Sequence, residues 1–225
     1  APGARSRTAS SKRTPGGEPG SWAAPWNTSV SAAAARRAAP RVRIVVTCRR
    51  KDERSVPDGV QPSREMTKKA KMALLEQAIA LEADFVDIEL AEGVRAIGRL
   101  QSLIRRRQGK TQVIVSWHDT AKTPSLATLR EIFAACVRTG ADVVKIVPTA
   151  RRADDNLKVL ALIRHARWRG VRIIAMCMGE AGQQSRVLAP LRGSFLAFAV
   201  LPSGRKSAPG QLSVSVMRGM ERLLQ

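Results

Sequence analysis

From residue 41 to the end of the chain, apolar residues come in short β-branched runs separated by stretches with helical spacing. The runs occupy 42–47 (VRIVVT), 85–90 (FVDIEL), 112–117 (QVIVSW), 143–147 (VVKIV), 172–177 (RIIAMC) and 195–200 (FLAFAV). Short, near-continuous apolar runs of this kind are expected of strands covered on both faces. Between them, residues 66–82 put Met72, Leu75 and Ile79 on one stripe, with Lys and Glu elsewhere. Pro124-Ser125 followed by LATLREIFAACVRTG predicts a helix ending at Gly140. Residues 154–170 predict another, with Leu157, Leu160, Ile163 and Ala166 at periodic positions, and a last helix takes 211–224.

Strand–helix alternation of this type defines an α/β protein with a parallel sheet covered by helices. An open doubly wound sheet would usually carry a glycine-rich turn after its first strand. Here the first run leads into CRRKDERS, without a glycine. A closed barrel keeps its chemistry at the carboxyl ends of several strands, which is where this chain carries its unusual polar residues. The expectation is a parallel (β/α) TIM-type barrel.

Residues 1–40 break the pattern. Ala, Arg, Ser, Gly and Pro dominate, with almost no aliphatic periodicity, and such a segment buries too little apolar surface to offset its ordering entropy. It is expected to be a disordered low-complexity extension, with residues 41–225 forming the barrel domain. Its acid-poor, Ser/Ala/Arg-rich composition also suits an organellar transit peptide; otherwise a cytoplasmic location is expected. No apolar run is long enough to cross a bilayer. Three cysteines, Cys48, Cys136 and Cys177, are too few and too scattered for a disulfide framework or a zinc cluster.

Net charge changes the picture less than its size suggests. Residues 1–50 hold ten Lys/Arg against Glu18 and so supply +9 of the formal +21. The rest is scattered along helix-like stretches, with no Tyr and four Phe for bases to stack on. Neither a dedicated nucleic-acid partner nor a membrane is expected.

Several polar residues do not belong where they are. Lys145 lies inside VVKIV, a run that should be buried on both faces, and burying an uncompensated ammonium is costly. Either it snorkels to solvent or pairs with an acid, or it is an amine whose lowered pKa makes it nucleophilic toward a carbonyl. His118 ends the strand one before Lys145, as a satisfied structural residue or as a general acid/base. His165 falls in a predicted surface helix and has no such context. Asp87 and Glu89 share one strand face by alternation, where they could tune a lysine, orient a base, or neutralise Arg49 or Arg186. Arg49 and Glu53 follow the first strand, where an arginine could meet a substrate carboxylate and a glutamate could hold His118. The segment SGRKSAPGQ (203–211) has the composition of a lid.

In ordered combination, VTCRRKDE, VDIEL, VSWHDT with Pro124-Ser125 behind it, GADVVKIVP, MCMGEAGQQSR and SAPGQ resemble type I 3-dehydroquinate dehydratases, from about residue 42 to the C-terminus. The resemblance implies dehydration of 3-dehydroquinate to 3-dehydroshikimate, a step of the shikimate pathway of aromatic amino acid biosynthesis, without metal or added cofactor. It implies that Lys145 forms an imine with the C3 ketone. His118 would remove the C2 proton and later protonate the departing C1 hydroxyl, and Glu53 would orient that histidine. Arg186 would clamp the substrate carboxylate, where a bidentate fork suits a planar anion. Arg49, Ser207 and Gln211 match substrate-binding positions, and Met178 and Phe198 match apolar pocket wall.

The family also has two strands before the one at 42–47, the second with a Glu-x-Arg signature, and residues 1–40 contain no counterpart. That leaves six of eight barrel strands and about 185 foldable residues against about 250 for a typical barrel. On this count the isolated chain is expected to turn over its substrate weakly or not at all, unless a homodimer partner or a rearranged N-terminal segment closes the gap. A catalytically impaired fragment and another imine-forming barrel enzyme, such as a class I aldolase, are the alternative readings.

Overall fold

The computed structural model describes residues 42–49, 66–201, 204 and 206–224. Strand and helix alternate along them: β1 (Val45–Thr47), α1 (Lys68–Ala80), β2 (Phe85–Glu89), α2 (Val94–Arg106), β3 (Gln112–Asp119), α3 (Leu126–Arg138), β4 (Val143–Pro148), α4 (Asp155–Trp168), β5 (Ile173–Ala175), α5 (Gln183–Leu191) and α6 (Val214–Leu224). The five strands pair in chain order and all pairs are parallel. Glu53 and the extension drawn at 1–40 lie outside the described residues.

Alternation along each strand sorts side chains into two layers. Val86, Ile88, Val113, Val115, Val144, Ile146, Ile173 and Ala175 face the helices and pack with Leu75, Leu100, Leu129, Phe133 and Leu162. On the inner face, Phe85, Ile114, Val143, Val147, Ile174, Met176 and Met178 form a second cluster, joined by the half-buried Phe195, Leu196 and Phe198. Asp87, Glu89, Ser116 and Lys145 alternate with residues of the helix-facing layer and so point to the inner face. Charge is therefore built into that face while the helix-facing layer stays apolar.

Local chemistry sets the helix ends. Ser125 caps α3, its Oγ accepting from Thr128 N at 3.1 Å, and Gly140 after the helix takes φ +74°, a conformation that favours glycine. The last helix begins at Val214 rather than at 211, because Ser213 Oγ accepts from Val216 N at 3.3 Å while Gln211 is buried in the preceding turn. In α4 the buried stripe is Val159, Leu162, Ile163 and Ala166, and Leu157, expected on it, is 63% exposed.

One expected strand is absent. Residues 195–200 make no ladder with β5: Phe195 N donates to Ile173 O at 2.7 Å, but Ser194 Oγ supplies the next contact, to Ala175 N. The apolar residues there serve as inner-face cover, and Val200 forms only an isolated bridge with Ser213. Among the described residues no further strand lies beyond this segment. They form five parallel strands of an incomplete, open β/α barrel, one strand fewer than the six expected.

Candidate active site

Register brings the inner-face polar residues together. Glu89 pairs with Ser116, Ser116 with Lys145, and Thr47 with Asp87. At their centre Asp87 accepts from Lys145 Nζ at 2.8 Å, from Arg49 Nη2 at 2.8 Å and from Ser116 Oγ at 2.6 Å. Arg49 also donates to Ser116 Oγ at 2.7 Å, and its Nη1 lies 3.2 Å from His118 Nδ1. The Lys145 ammonium sits 4.7 Å from the centre of the Phe198 ring, within cation–π range. Four of the residues singled out from the sequence, Lys145, His118, Arg49 and Phe198, therefore meet in one place.

Burial and charge set the protonation states. Burial alone would raise the Asp87 carboxyl, but Arg49 and Lys145 hold it far below the usual carboxylate range. Burial lowers the Lys145 amine, Arg49 adds to the effect, and the opposing pull of Asp87 and Glu89 does not cancel it. Burial, then the Arg49 and Lys145 charges, bring His118 down to about 2 against the pull of Asp87. The histidine is thus neutral through the physiological range.

Asp87 holds the buried Lys145 and the half-buried Arg49 at once, so its removal should be costly. Asp87→Asn is expected to lose about 3–5 kcal/mol of stability, the usual cost of breaking a buried ion pair by deleting one partner. Urea denaturation of the variant measures this directly; an unchanged midpoint would show that the pair is dispensable.

A second cluster forms at the ends of β5 and α5. Arg186, in the first turn of α5, is buried, and its partners are neutral: Met176 Sδ at 3.6 Å and Pro209 O at 3.1 Å. Among the described residues its Nε is the buried side-chain nitrogen left without a hydrogen-bond partner. Burial pushes its pKa down to about 10, so it stays a cation. A buried guanidinium with an unmet donor suits a planar anion. Ser207 donates from N and Oγ to Gln211 Oε1 at 2.8 and 3.2 Å, and Gly179 N donates to Pro209 O at 3.2 Å. The 207–211 turn is thereby latched over Arg186. Met178 lies in the inner-face cluster with Met176, which links the two sets of residues.

The latch depends on Gly210. Its φ is +72°, and a Cβ there would overlap the Gly179 carbonyl oxygen. Gly210→Ala is expected to lift the turn off Gly179 and to cost about 1–3 kcal/mol of stability, since a left-handed backbone and a close backbone approach are both disturbed. Urea denaturation checks it, and an unchanged midpoint would show that the turn is not latched there.

Two contributors become clear only in the fold. The alternation of VDIEL lets Asp87 either neutralise Arg49 or tune a lysine, and the structure has it do both. Ser116 bonds Asp87 from two positions before His118, on the same face of an apolar strand. Among the described residues no three His, Cys, Asp or Glu side chains converge as a metal-ligand set, and no helix among them is long and apolar enough to cross a membrane.

Parallel β/α units with a lysine, a carboxylate and a histidine gathered on the inner face of three adjacent strands fit the β/α-barrel class of enzymes. The type I 3-dehydroquinase family model matches residues 25–225, starting upstream of the boundary drawn at 41. The 3-dehydroquinate dehydratase of Desulfotalea psychrophila is 33% identical over 154 residues, 68% of this chain and 67% of that protein. The Methanosarcina mazei enzyme of the same name is 32% identical over 184 residues, 81% of this chain and 72% of that protein. The crystal structure of the Geobacillus kaustophilus 3-dehydroquinate dehydratase superposes with a TM-score of 0.77 at 29% identity, covering 88% of this chain and 74% of that one. The chain belongs to the type I 3-dehydroquinase family.

Proposed function

We propose that the chain is a hydro-lyase that dehydrates 3-dehydroquinate to 3-dehydroshikimate through an imine on Lys145. In the neutral form favoured by burial, the Lys145 amine attacks the C3 ketone, and loss of water from the carbinolamine, with one proton taken up from solvent and returned at the final hydrolysis, leaves a protonated imine. His118 takes the C2 proton, and the electron pair moves toward the iminium nitrogen, which acts as the electron sink. The returning pair expels the C1 hydroxyl, to which His118 gives its proton. Hydrolysis of the remaining imine then frees product and amine. The net change is loss of one water.

The observation that carries this reading is the Lys145 amine, buried between Asp87 and the Phe198 ring, with Arg49 linking it to a neutral His118. A purely structural lysine needs only the ion pair; a lowered pKa on the inner face of a β/α sheet is what an imine-forming amine requires. Arg186 is the candidate clamp for the substrate carboxylate, with Arg49, Ser207 and Gln211 as further substrate-binding residues and Met178 and Phe198 as apolar wall. Glu53 is proposed as the residue orienting His118. The assay is direct: 3-dehydroquinate added to the purified chain should yield the conjugated enone, read by its ultraviolet absorbance, faster than with Lys145→Ala. Equal rates for the two proteins would overturn the proposal.

A further inference from the structure

We propose that Lys71 is a positioning residue for the Lys145 amine, holding Glu89 so that Arg49 stays on Asp87 and His118. The inference rests on the reading of Lys145 given above.

Lys71 comes from the first turn of α1, which Thr67 caps by accepting from Ala70 N at 3.2 Å. Its ammonium is buried and donates to Glu92 Oε1 at 2.9 Å and to Glu89 Oε2 at 3.2 Å. Glu89 is fully buried, and its other oxygen, Oε1, lies 3.4 Å from Arg49 Nη1. Arg49 reaches Asp87, and Asp87 reaches Lys145, each at 2.8 Å. Charges of alternating sign therefore run Glu92–Lys71–Glu89–Arg49–Asp87–Lys145, from the helix layer to the reactive amine.

The packing of α1 does not explain this lysine. Leu75, Ala78 and Ile79 supply the buried stripe of the helix, and position 71 continues that stripe one turn earlier. An apolar side chain there would fill the space without the desolvation cost of an ammonium. What an ammonium adds, beside Arg49, is a further cation for Glu89. Without it, the buried carboxylate would draw on Arg49 more strongly, because a close pair in a low-dielectric interior attracts far more than in water. Arg49 would move off Asp87, and Asp87 would be left with Lys145 as its main cation. That change favours the charged form of Lys145 and reduces the free amine.

Among the described residues, the charged groups facing Lys145 are Asp87 and Glu89 from β2 and Arg49 beyond β1, with His118 on β3 beside Arg49 and Phe198 as apolar cover. Among the same residues, those facing Lys71 are Glu89 and Glu92. A Lys71→Met substitution reaches Lys145 through Glu89 and Arg49.

The test is competitive labelling of the full chain with trace acetic anhydride across pH, without substrate, reading the acetylated fraction of the Lys145 peptide by mass spectrometry. Lys71→Met should raise the pH midpoint by about one unit, hence label Lys145 about tenfold more slowly near neutral pH, with wild-type labelling regained at high pH. Lys71→Arg should keep the wild-type midpoint. A Lys71→Met midpoint equal to wild type, with or without a uniform drop in labelling, overturns the proposal. If that variant does not fold, Glu92→Gln loosens the same anchor and should shift the midpoint in the same direction; no shift there overturns it equally. Because no substrate is used, failure of the wild-type chain to form an imine with 3-dehydroquinate would sink the proposed function and leave this coupling standing.

Discussion

Replacing Lys145 by alanine should lower turnover of 3-dehydroquinate on the order of 10⁴-fold or more, since it removes the nucleophile and with it the covalent route. The loss should be chemical rather than structural. Asp87 keeps Arg49 and Ser116 as partners at 2.8 and 2.6 Å, so the carboxylate is not left unpaired when the ammonium goes. Circular dichroism and the melting midpoint of Lys145→Ala should stay near wild type while activity vanishes. Retained turnover in a folded Lys145→Ala protein would show that the lysine serves only as a buried counter-ion.

His118→Ala should separate the steps. The imine still forms, more slowly, because Lys145 supplies the electrophile, while proton removal at C2 loses about 10²–10⁴ in rate. Single-turnover measurement of imine formation against product release resolves the two. Burial and the charges of Arg49 and Lys145 bring His118 from its ordinary 6.5 down to about 2. The histidine is then uncharged in the resting enzyme, and kcat/KM should show no acid limb near pH 6.5. The stability consequence has a definite sign. The unfolded chain takes up a proton at this residue below about pH 6.5 and the folded chain does not, so His118 removes stability as pH falls from 6.5 toward 2. His118→Ala should flatten that part of the stability profile; an unchanged profile would contradict the burial argument.

The periodicity of the chain carried most of the fold. The runs at 85–90, 112–117 and 143–147 are strands because β-branched residues fill both faces of a covered sheet, and α1, α3 and α4 follow from stripes such as Leu75–Ile79. The run at 195–200 has the same composition and is not a strand, because ladder formation needs a partner edge, which local composition does not report. Leu157 failed for a related reason: helical spacing defines a stripe but not which neighbour covers each end of it. Lys145 was legible as an anomaly, since an ammonium amid VVKIV conflicts with the rest of the run. Its partner was not, because Asp87 is 58 residues away in sequence and only the parallel register joins them. Arg186, Ser207, Gln211, Met178 and Phe198 carry no pattern of their own, and the roles proposed for them rest on the resemblance. By spacing alone Lys71 is one of the polar residues beside the α1 stripe, and its ion pairs with Glu89 and Glu92 distinguish it.

Borohydride trapping tests the central claim most directly. Wild-type chain is mixed with 3-dehydroquinate, reduced with sodium borohydride, digested and mapped by mass spectrometry. The account predicts one substrate-derived adduct, on the peptide carrying Lys145, dependent on both substrate and reductant. An adduct on a different lysine, or product formation with no trapped adduct at all, would contradict it.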